Sequence, residues 1–390
     1  MKTEKQMMQV GQVSDLCRRR LLSYAESFQE LAKSYHRDLI VDSRMDRQTM
    51  LVERRLWESR QVLKSHLDEM ARIMKNVAGE VFHCKPMEEK KRRLLIRAMR
   101  EEGIFAENPC YLCRETGRES IVVTLSVGRR KDVSAEDAAD MISVLLNKRL
   151  KLSQESPLLL DRTPRCYELE EEARYLAMTG FARAIKEDET VSGDNYSVFE
   201  PESGRLMVVL SDGTGSGEQA GRDSGNVLDL MEKLLDAGYS TKAAAEMVNL
   251  ALFAMGDDCT HPTLDICEID LQQGSCDFHK AGGAASFLKH EELVEKFSDG
   301  SLPLGIFQKP EMISIHSSLS DGDYLIMVSD GVIEAFDNQL YEAAICDVIA
   351  GIREQNPEEI AEKILRMAVV AGGGRIPDDM TVAVIGIWKT

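Results

Sequence analysis

Four short acidic segments hold the chemistry available to this chain. Leu206-Met-Val-Val-Leu-Ser-Asp212-Gly213 and Tyr324-Leu-Ile-Met-Val-Ser-Asp330-Gly331 share one construction, an apolar, β-branched run of strand length that ends on Ser-Asp-Gly. Each would deliver a carboxylate from the C-terminal tip of a buried strand into a turn. Two further acidic tips, Ser192-Gly193-Asp194-Asn195 and Pro377-Asp378-Asp379-Met380-Thr381, flank apolar runs of their own. Short carboxylates suit hard divalent cations, Mn²⁺ or Mg²⁺, which take oxygen ligands and keep several waters. Two such ions roughly 3.5–4 Å apart can share a bridging water, lower its pKa and clamp a group for in-line displacement. Phosphate monoesters are the natural substrate, since their hydrolysis calls for enhancements up to about 10²¹. Gly213 suits the same site, because without a Cβ its backbone carbonyl can approach an ion closely.

Any one Asp-Gly taken alone is an ordinary turn, and Asp321-Gly322-Asp323, which precedes its strand, is read that way. Four tips that adjoin apolar strands are much harder to explain as turns. Gly213-Thr-Gly-Ser-Gly217 lacks the Gly-Lys-Ser/Thr of a nucleotide loop. An aspartyl-phosphate enzyme would want a second Asp two residues from Asp212, where Leu210 and Thr214 stand. Gly215-Ser216-Gly217 has the wrong spacing for a serine-hydrolase elbow.

The elements that must position these tips follow from the hydrophobic rhythm. From about Cys166 onward strands alternate with two helical stretches, marked by Val227, Met231, Leu234 and Leu235 and then by Ala244, Met247, Val248, Ala251 and Met255. Strands are expected at Thr263–Asp270, Cys276–Ala281, Tyr324–Ser329 and Thr381–Ile387. Strands grouped around a helical pair argue for α+β layering over a regular βαβ wind. Before them, a helix from Glu88 to Arg100, strands near Cys110 and at Ile121–Val127, a helix from Ala135 to Leu150 and strands around Tyr167 and Tyr175 suggest a small α/β module, with Pro157 to Pro164 as the nearest thing to a linker. Residues up to about 82 read as a helical stem: Leu21, Ala25, Phe28, Ala32, Tyr35 and Leu39, and then Leu56, Leu63, Leu67, Met70, Met74, Val77 and Val81, recur in steps of three, four or seven. A stem that makes a homodimer and an amphipathic pair packed on the rest of the protein fit this pattern equally. The domains are therefore expected at 1–82, 83–165 and 166–390.

The chain has 390 residues, and 48 Lys+Arg against 66 Asp+Glu leave a net charge of −18, which argues against nucleic acid or anionic lipid as a partner and against a two-metal nuclease. No window approaches the ~18 apolar residues of a membrane span and no signal-peptide core follows the N-terminus, so a cytoplasmic location is expected. Nine scattered cysteines fit reduced thiols. His83-Cys84 with Cys110 and Cys113 contain only one CxxC, so ordinary thiols are expected there over structural zinc.

Taken in order, Ser192-Gly-Asp-Asn, Leu210-Ser-Asp-Gly-Thr-Gly-Ser-Gly217, Val328-Ser-Asp-Gly-Val-Ile-Glu334 and Asp378-Asp-Met-Thr-Val382 resemble the motifs of PPM-type metal-dependent Ser/Thr phosphatases. With Thr179-Gly-Phe-Ala-Arg183 leading in, they are similar, more narrowly, to the stage II sporulation protein E family. The resemblance implies a PPM-type β-sandwich flanked by helices, a site for two Mn²⁺ or Mg²⁺ ions at one end, and attack by a metal-bridging hydroxide without a phosphoenzyme. It implies that Asp212 bridges both ions, that Gly213 binds one through its carbonyl, and that Asp194, Asp330 and Asp378 complete the set, with Asp379 as the alternative to Asp378. The implied substrate is a phosphoserine on an anti-sigma-factor antagonist in a sporulation-type partner-switching pathway, with a regulatory module and linker helix before the phosphatase domain. The helical pair from about Gly221 to Met255 is implied to be a switch. A catalytically silent sensor of the same fold is the other reading. Eukaryotic members hold phosphate with an Arg before the first metal-binding Asp, where Glu187 to Glu189 stand here, which leaves the phosphate-binding residue open.

Overall fold

Tertiary contacts divide the chain into two units, residues 1–34 with 67–172 and residues 35–66 with 173–390. The computed structural model describes residues 21–33, 47–80, 84–113, 119–128, 133–153, 156–202, 204–213, 215–255, 261–298, 300–307, 310, 312–336 and 341–390. Of the stem residues, Tyr35, Leu39 and Val81 lie outside these, as does His83.

In the first unit, α1 (described over 21–33) runs beside the C-terminal part of α2 (Arg47–Glu80). Ala25, Ala32, Ala71 and Ala78 are buried, and Lys75 donates to Gln29 at 3.0 Å. Small side chains on both partners let two backbones approach closely. Part of the expected apolar seam is exposed instead: Leu63 keeps 38% of its surface in solvent. The module that follows is a five-stranded sheet in the order β1-β2-β3-β5-β4, made of β1 (Cys84–Pro86), β2 (Ile104–Cys113), β3 (Glu119–Val127), β4 (Leu150–Leu152) and β5 (Arg165–Glu171). Two helices, α3 (Glu89–Glu101) and α4 (Ala135–Leu146), supply Leu95, Met99, Ala138 and Ile142 to its core. Helix α4 stops four residues before the expected end because Asn147 takes a left-handed φ of 51° and its N–H turns back to Val144. Residues 157–164 are built into this unit: Leu160 is buried and donates to Val133, and the Tyr167 hydroxyl donates to Leu159. Within β2, the Cys110 thiol faces the Val122 carbonyl and the Cys113 thiol the Glu119 carboxylate.

The second unit is a sandwich of two antiparallel sheets. One has the order β13-β10-β9-β8-β7, from β7 (Asp194–Glu202), β8 (Arg205–Asp212), β9 (Leu264–Asp270), β10 (Ser275–Ala281) and β13 (Ile313–Ser318). The other has the order β12-β11-β14-β15-β6, from β6 (Tyr175–Ala184), β11 (Ser286–His290), β12 (Leu293–Phe297), β14 (Asp323–Val328) and β15 (Met380–Lys389). Alternate residues of central strands meet in one core between the sheets, with Val208, Leu210, Cys267 and Phe278 from the first against Leu288, Leu325, Met327 and Ile385 from the second. The opposite faces are apolar too, which is why their strands read as unbroken hydrophobic runs. Helices α5 (Gly217–Asp236) and α6 (Thr241–Met255) follow β8, and α5 packs on β7 and β8. Beyond the second sheet lie α7 (Asp330–Glu334), α8 (Tyr341–Ala350) and α9 (Pro357–Ala371), which bury Ile345, Ile349, Ile360 and Ile364 against Ile326, Val328 and Val384. This is the expected α+β sandwich flanked by helices. No helix among the described residues is long and apolar enough to cross a membrane.

Candidate metal centre

Strand register brings the first two carboxylates together. Asp194 opens β7, Asp212 closes β8, and the two are direct cross-strand partners. Asp212 is held from the next strand as well: its N–H donates to the Thr263 hydroxyl at 3.0 Å, its carbonyl accepts from Thr263 N–H at 2.8 Å, and the Ser211 hydroxyl donates to the Thr263 carbonyl. Gly213 then turns under α5. A Cβ there would stand 2.4 Å from the Ala220 carbonyl oxygen, so the loop closes only with glycine.

The other two tips come from the second sheet and are tied to each other. Ser329 N–H donates to the Thr381 carbonyl, Thr381 N–H donates to the Ser329 hydroxyl, and that hydroxyl reaches the Asp379 carbonyl at 3.4 Å. Asp330 starts α7 just beyond Ser329 and is exposed. Gly331 lies so close to the other tip that a Cβ would meet the Asp379 carbonyl oxygen at 2.2 Å. The two adjacent aspartates differ in use. Asp379 is 3% exposed, and its carboxylate accepts backbone N–H groups of Lys186 (3.0 Å) and Gly193 (2.7 Å). Asp378 is half-buried and accepts only its neighbour's N–H at 2.9 Å among the hydrogen bonds described.

The electrostatics are those of crowded anions. Asp194 is fully buried, and among the described residues neither of its carboxylate oxygens nor the buried Thr381 hydroxyl beside it has a hydrogen-bond partner of good geometry. Burial pushes the Asp194 carboxyl up against the pull of the neighbouring Thr381 and Ser329 hydroxyls. Burial and then the charges of Asp194 and Asp330 push Asp212 up to about 10. Glu334 is raised as well, by burial and by the charges of Asp330 and Asp378. Among the described residues no three His, Cys, Asp or Glu side chains close into an ion cage. The carboxylates instead flank Asp212, with solvent reaching Asp330, and that suits ions that bind through one or two carboxylates and keep their waters. A buried carboxylate that finds no donor among the described residues, with the carboxyls of Asp212 and Asp379 beside it, fits divalent cations far better than it fits a stand-alone fold.

Sequence reasoning missed part of this setting. The pocket beside Asp212 and Asp330 is also lined by Thr263, Asp265 and Gly283. Asp265 is in turn paired with the fully buried Lys280, whose ammonium also donates to the Ala284 carbonyl and the Ser286 hydroxyl. Asp265 and Lys280 are cross-strand partners on β9 and β10, a juxtaposition that no linear spacing announces. Glu334 had a signal, since it lies one helical turn after Asp330.

The family model of stage II sporulation protein E matches residues 202–388. Stage II sporulation protein E of Bacillus subtilis (strain 168) is 29% identical over 344 residues, covering 87% of this chain and 41% of that protein. The Priestia megaterium protein of the same name is 29% identical over 331 residues, covering 84% of this chain and 56% of that protein. A solved structure of the PP2C phosphatase domain and a fragment of the regulatory domain of the cell fate determinant SpoIIE from Bacillus subtilis superposes with a TM-score of 0.62 at 27% identity, covering 89% of this chain and 99% of that one. The chain is thus similar to the stage II sporulation protein E family over residues 202–388 and to these relatives along most of its own length. It spans about two fifths to just over half the length of these curated relatives. The SpoIIE family match takes in three of the four acidic tips, Asp212, Asp330 and Asp378-Asp379, while Asp194 lies just before it.

Proposed function

We propose that this chain is a divalent-cation-dependent protein-serine phosphatase acting on a phosphorylated anti-sigma-factor antagonist in a partner-switching pathway. The observation that carries the reading is the cross-strand pair Asp194–Asp212, one member fully buried with both oxygens unpartnered among the described residues and the other flanked by Asp330. The family-model match and the PP2C likeness support the same chemistry.

Asp194, Asp212, Asp330, Asp378 and the Gly213 carbonyl are the groups we assign to two Mn²⁺ or Mg²⁺ ions. When bound, such ions supply an acidified water and offset charge on the transferring phosphoryl group. The protein's part is positioning. Thr263 fixes the end of β8, Ser329 and Thr381 lock the two tips of the second sheet together, and rigid strand ends keep the carboxylates from reorienting. Asp379 is spent on the backbone of residues 186–193, which favours Asp378 as the ion ligand. A single in-line step would add water to phosphorus and release the serine oxygen, which takes up a proton to leave as the hydroxyl.

The deciding experiment is phosphate release from a serine-phosphorylated anti-sigma-factor antagonist with and without Mn²⁺, comparing the intact chain with Asp212→Asn. Release that needs Mn²⁺ and is lost in the variant is expected. Full release in EDTA, or a burst of covalent phosphoenzyme, would overturn the reading.

A further inference from the structure

Lys186 lies at the rim of the acidic site. It follows β6, and its backbone N–H is bonded to Asp379, so its Cα is fixed from the same tip that presents Asp378. Its ammonium stands 3.8 Å from an Asp378 carboxylate oxygen and 3.4 Å from the Ser216 hydroxyl, which itself donates to Glu189 at 2.9 Å. These are long contacts for a cation, since a charge-assisted hydrogen bond closes to about 2.7–2.9 Å. Two partly buried pairs of this unit are closed by comparison: Arg205–Glu268 is 2.7 Å and Lys363–Glu354 is 2.8 Å. One third of the Lys186 side chain remains in solvent.

An incoming phosphate monoester is a dianion, and it must approach a rim that carries Glu187, Asp188 and Glu189. A flexible ammonium that is fixed at its root and loosely held at its tip suits capture of that anion. From this geometry, and resting on the phosphatase reading, we infer that Lys186 is a substrate-binding residue that takes a non-reacting phosphoryl oxygen of the phosphoserine. When Asp378 commits its charge to a cation, the attraction that draws the ammonium toward it weakens, which leaves Lys186 donors for the substrate. Lys186 thus contributes binding, while the carboxylates at the strand ends contribute to the chemical step.

The test compares the intact chain with Lys186→Gln and Lys186→Arg. Calorimetric titration with inorganic phosphate in saturating Mg²⁺ should show about tenfold weaker binding in the Gln variant, with most of the affinity kept in the Arg variant. The KM for the phosphoprotein should rise by a similar factor while kcat and the half-saturating Mn²⁺ concentration stay within about threefold. Equal phosphate affinity in the intact chain and Lys186→Gln, or no phosphate binding by the intact chain, overturns the assignment. So does a variant whose sole change is in Mn²⁺ half-saturation, because Lys186 would then be a countercharge for Asp378. Phosphate that binds through Lys186 without any turnover by the intact chain would overturn the phosphatase reading and uphold Lys186. The partly exposed side chain keeps both variants folded.

Discussion

At Asp212 the folded chain holds a proton that the unfolded chain has already released. Its carboxyl lies at about 10, pushed there by burial and by Asp194 and Asp330, against an ordinary value of 3.8. A raised carboxyl makes metal-free stability fall as pH climbs from the lower value toward the upper one. In EDTA at pH 8, Asp212→Asn is therefore expected to melt above the intact chain, by about 2–4 °C per kcal/mol relieved. Adding Mg²⁺ should raise the melting temperature of the intact chain and leave that of the variant nearly unchanged. A variant that melts lower in EDTA and still responds to Mg²⁺ would contradict the assignment. Gly331 gives a second prediction. Its missing Cβ leaves room for the Asp379 carbonyl, so Gly331→Ala must push the two tips of the second sheet apart. Mn²⁺ half-saturation of phosphate release should rise by about 10–100-fold, with the fold retained by circular dichroism. The Asp-Gly pairs at 212 and 330 were legible because an apolar strand and a turn residue adjoin in sequence. Asp265 and Lys280 were not, because they meet only across strands.

Between elements, the N-terminal end of α6 is tied to the first sheet through Glu268. Its carboxylate accepts from Arg205 of β8 at 2.7 Å and from the hydroxyl of Thr241, the first residue of α6, at 2.7 Å. Burial alone would raise this carboxyl, but the His279 ring 3.5 Å away, together with hydrogen bonds from Arg205 and Thr241, outweighs it and holds the group at about 2. A lowered carboxyl stabilises the fold above its unfolded value of 4.5, and that contribution fades as pH falls toward 2. Glu268→Gln should thus cost about 2–3 kcal/mol at pH 7 in urea unfolding, with the gap to the intact chain narrowing below pH 4.5. A gap that is constant from pH 7 to pH 3 would show that the charge is not what matters. Lys280 behaves differently: its ion pair with Asp265 is buried, so Lys280→Met removes the countercharge of a buried anion and should destabilise by about 3–5 kcal/mol. The double variant Lys280→Met with Asp265→Leu should recover much of that loss. The helical pair α5–α6 and the central strands were legible from periodicity. Helix α9 was not expected from the sequence although Asn356 caps it and Pro357 opens it, the ordinary start signals. The short edge strands β12 and β13 are half-exposed and carry no clean alternation to read.

Across the whole molecule, residues 35–66 group with the sandwich unit although more than a hundred residues of the other unit intervene in sequence. The Ser65 hydroxyl donates to Glu246 on α6 at 3.2 Å, and burial holds the neighbouring His66 below its ordinary value despite the Glu246 charge. A fragment that starts at Ala173 loses this contact. Its Mn²⁺ half-saturation for phosphate release is expected to differ from that of the whole chain by about fivefold or more. Identical turnover and metal dependence in fragment and whole would leave the N-terminal residues without a regulatory part. Helical periodicity in the stem was legible, but which face would be covered was not, since a repeat in steps of three and four fits an intramolecular partner as well as a second copy. The register of β7 against β8 reaches beyond catalysis. Alternate residues of a strand face opposite sides, so a slip by one residue would turn Asp194 away from Asp212 and leave no place for an ion to join them. A cation bound by this pair would thereby act as a proofreader of assembly: it would reward chains that have paired this hairpin correctly, and refolding in Mg²⁺ is expected to enrich them over misaligned competitors.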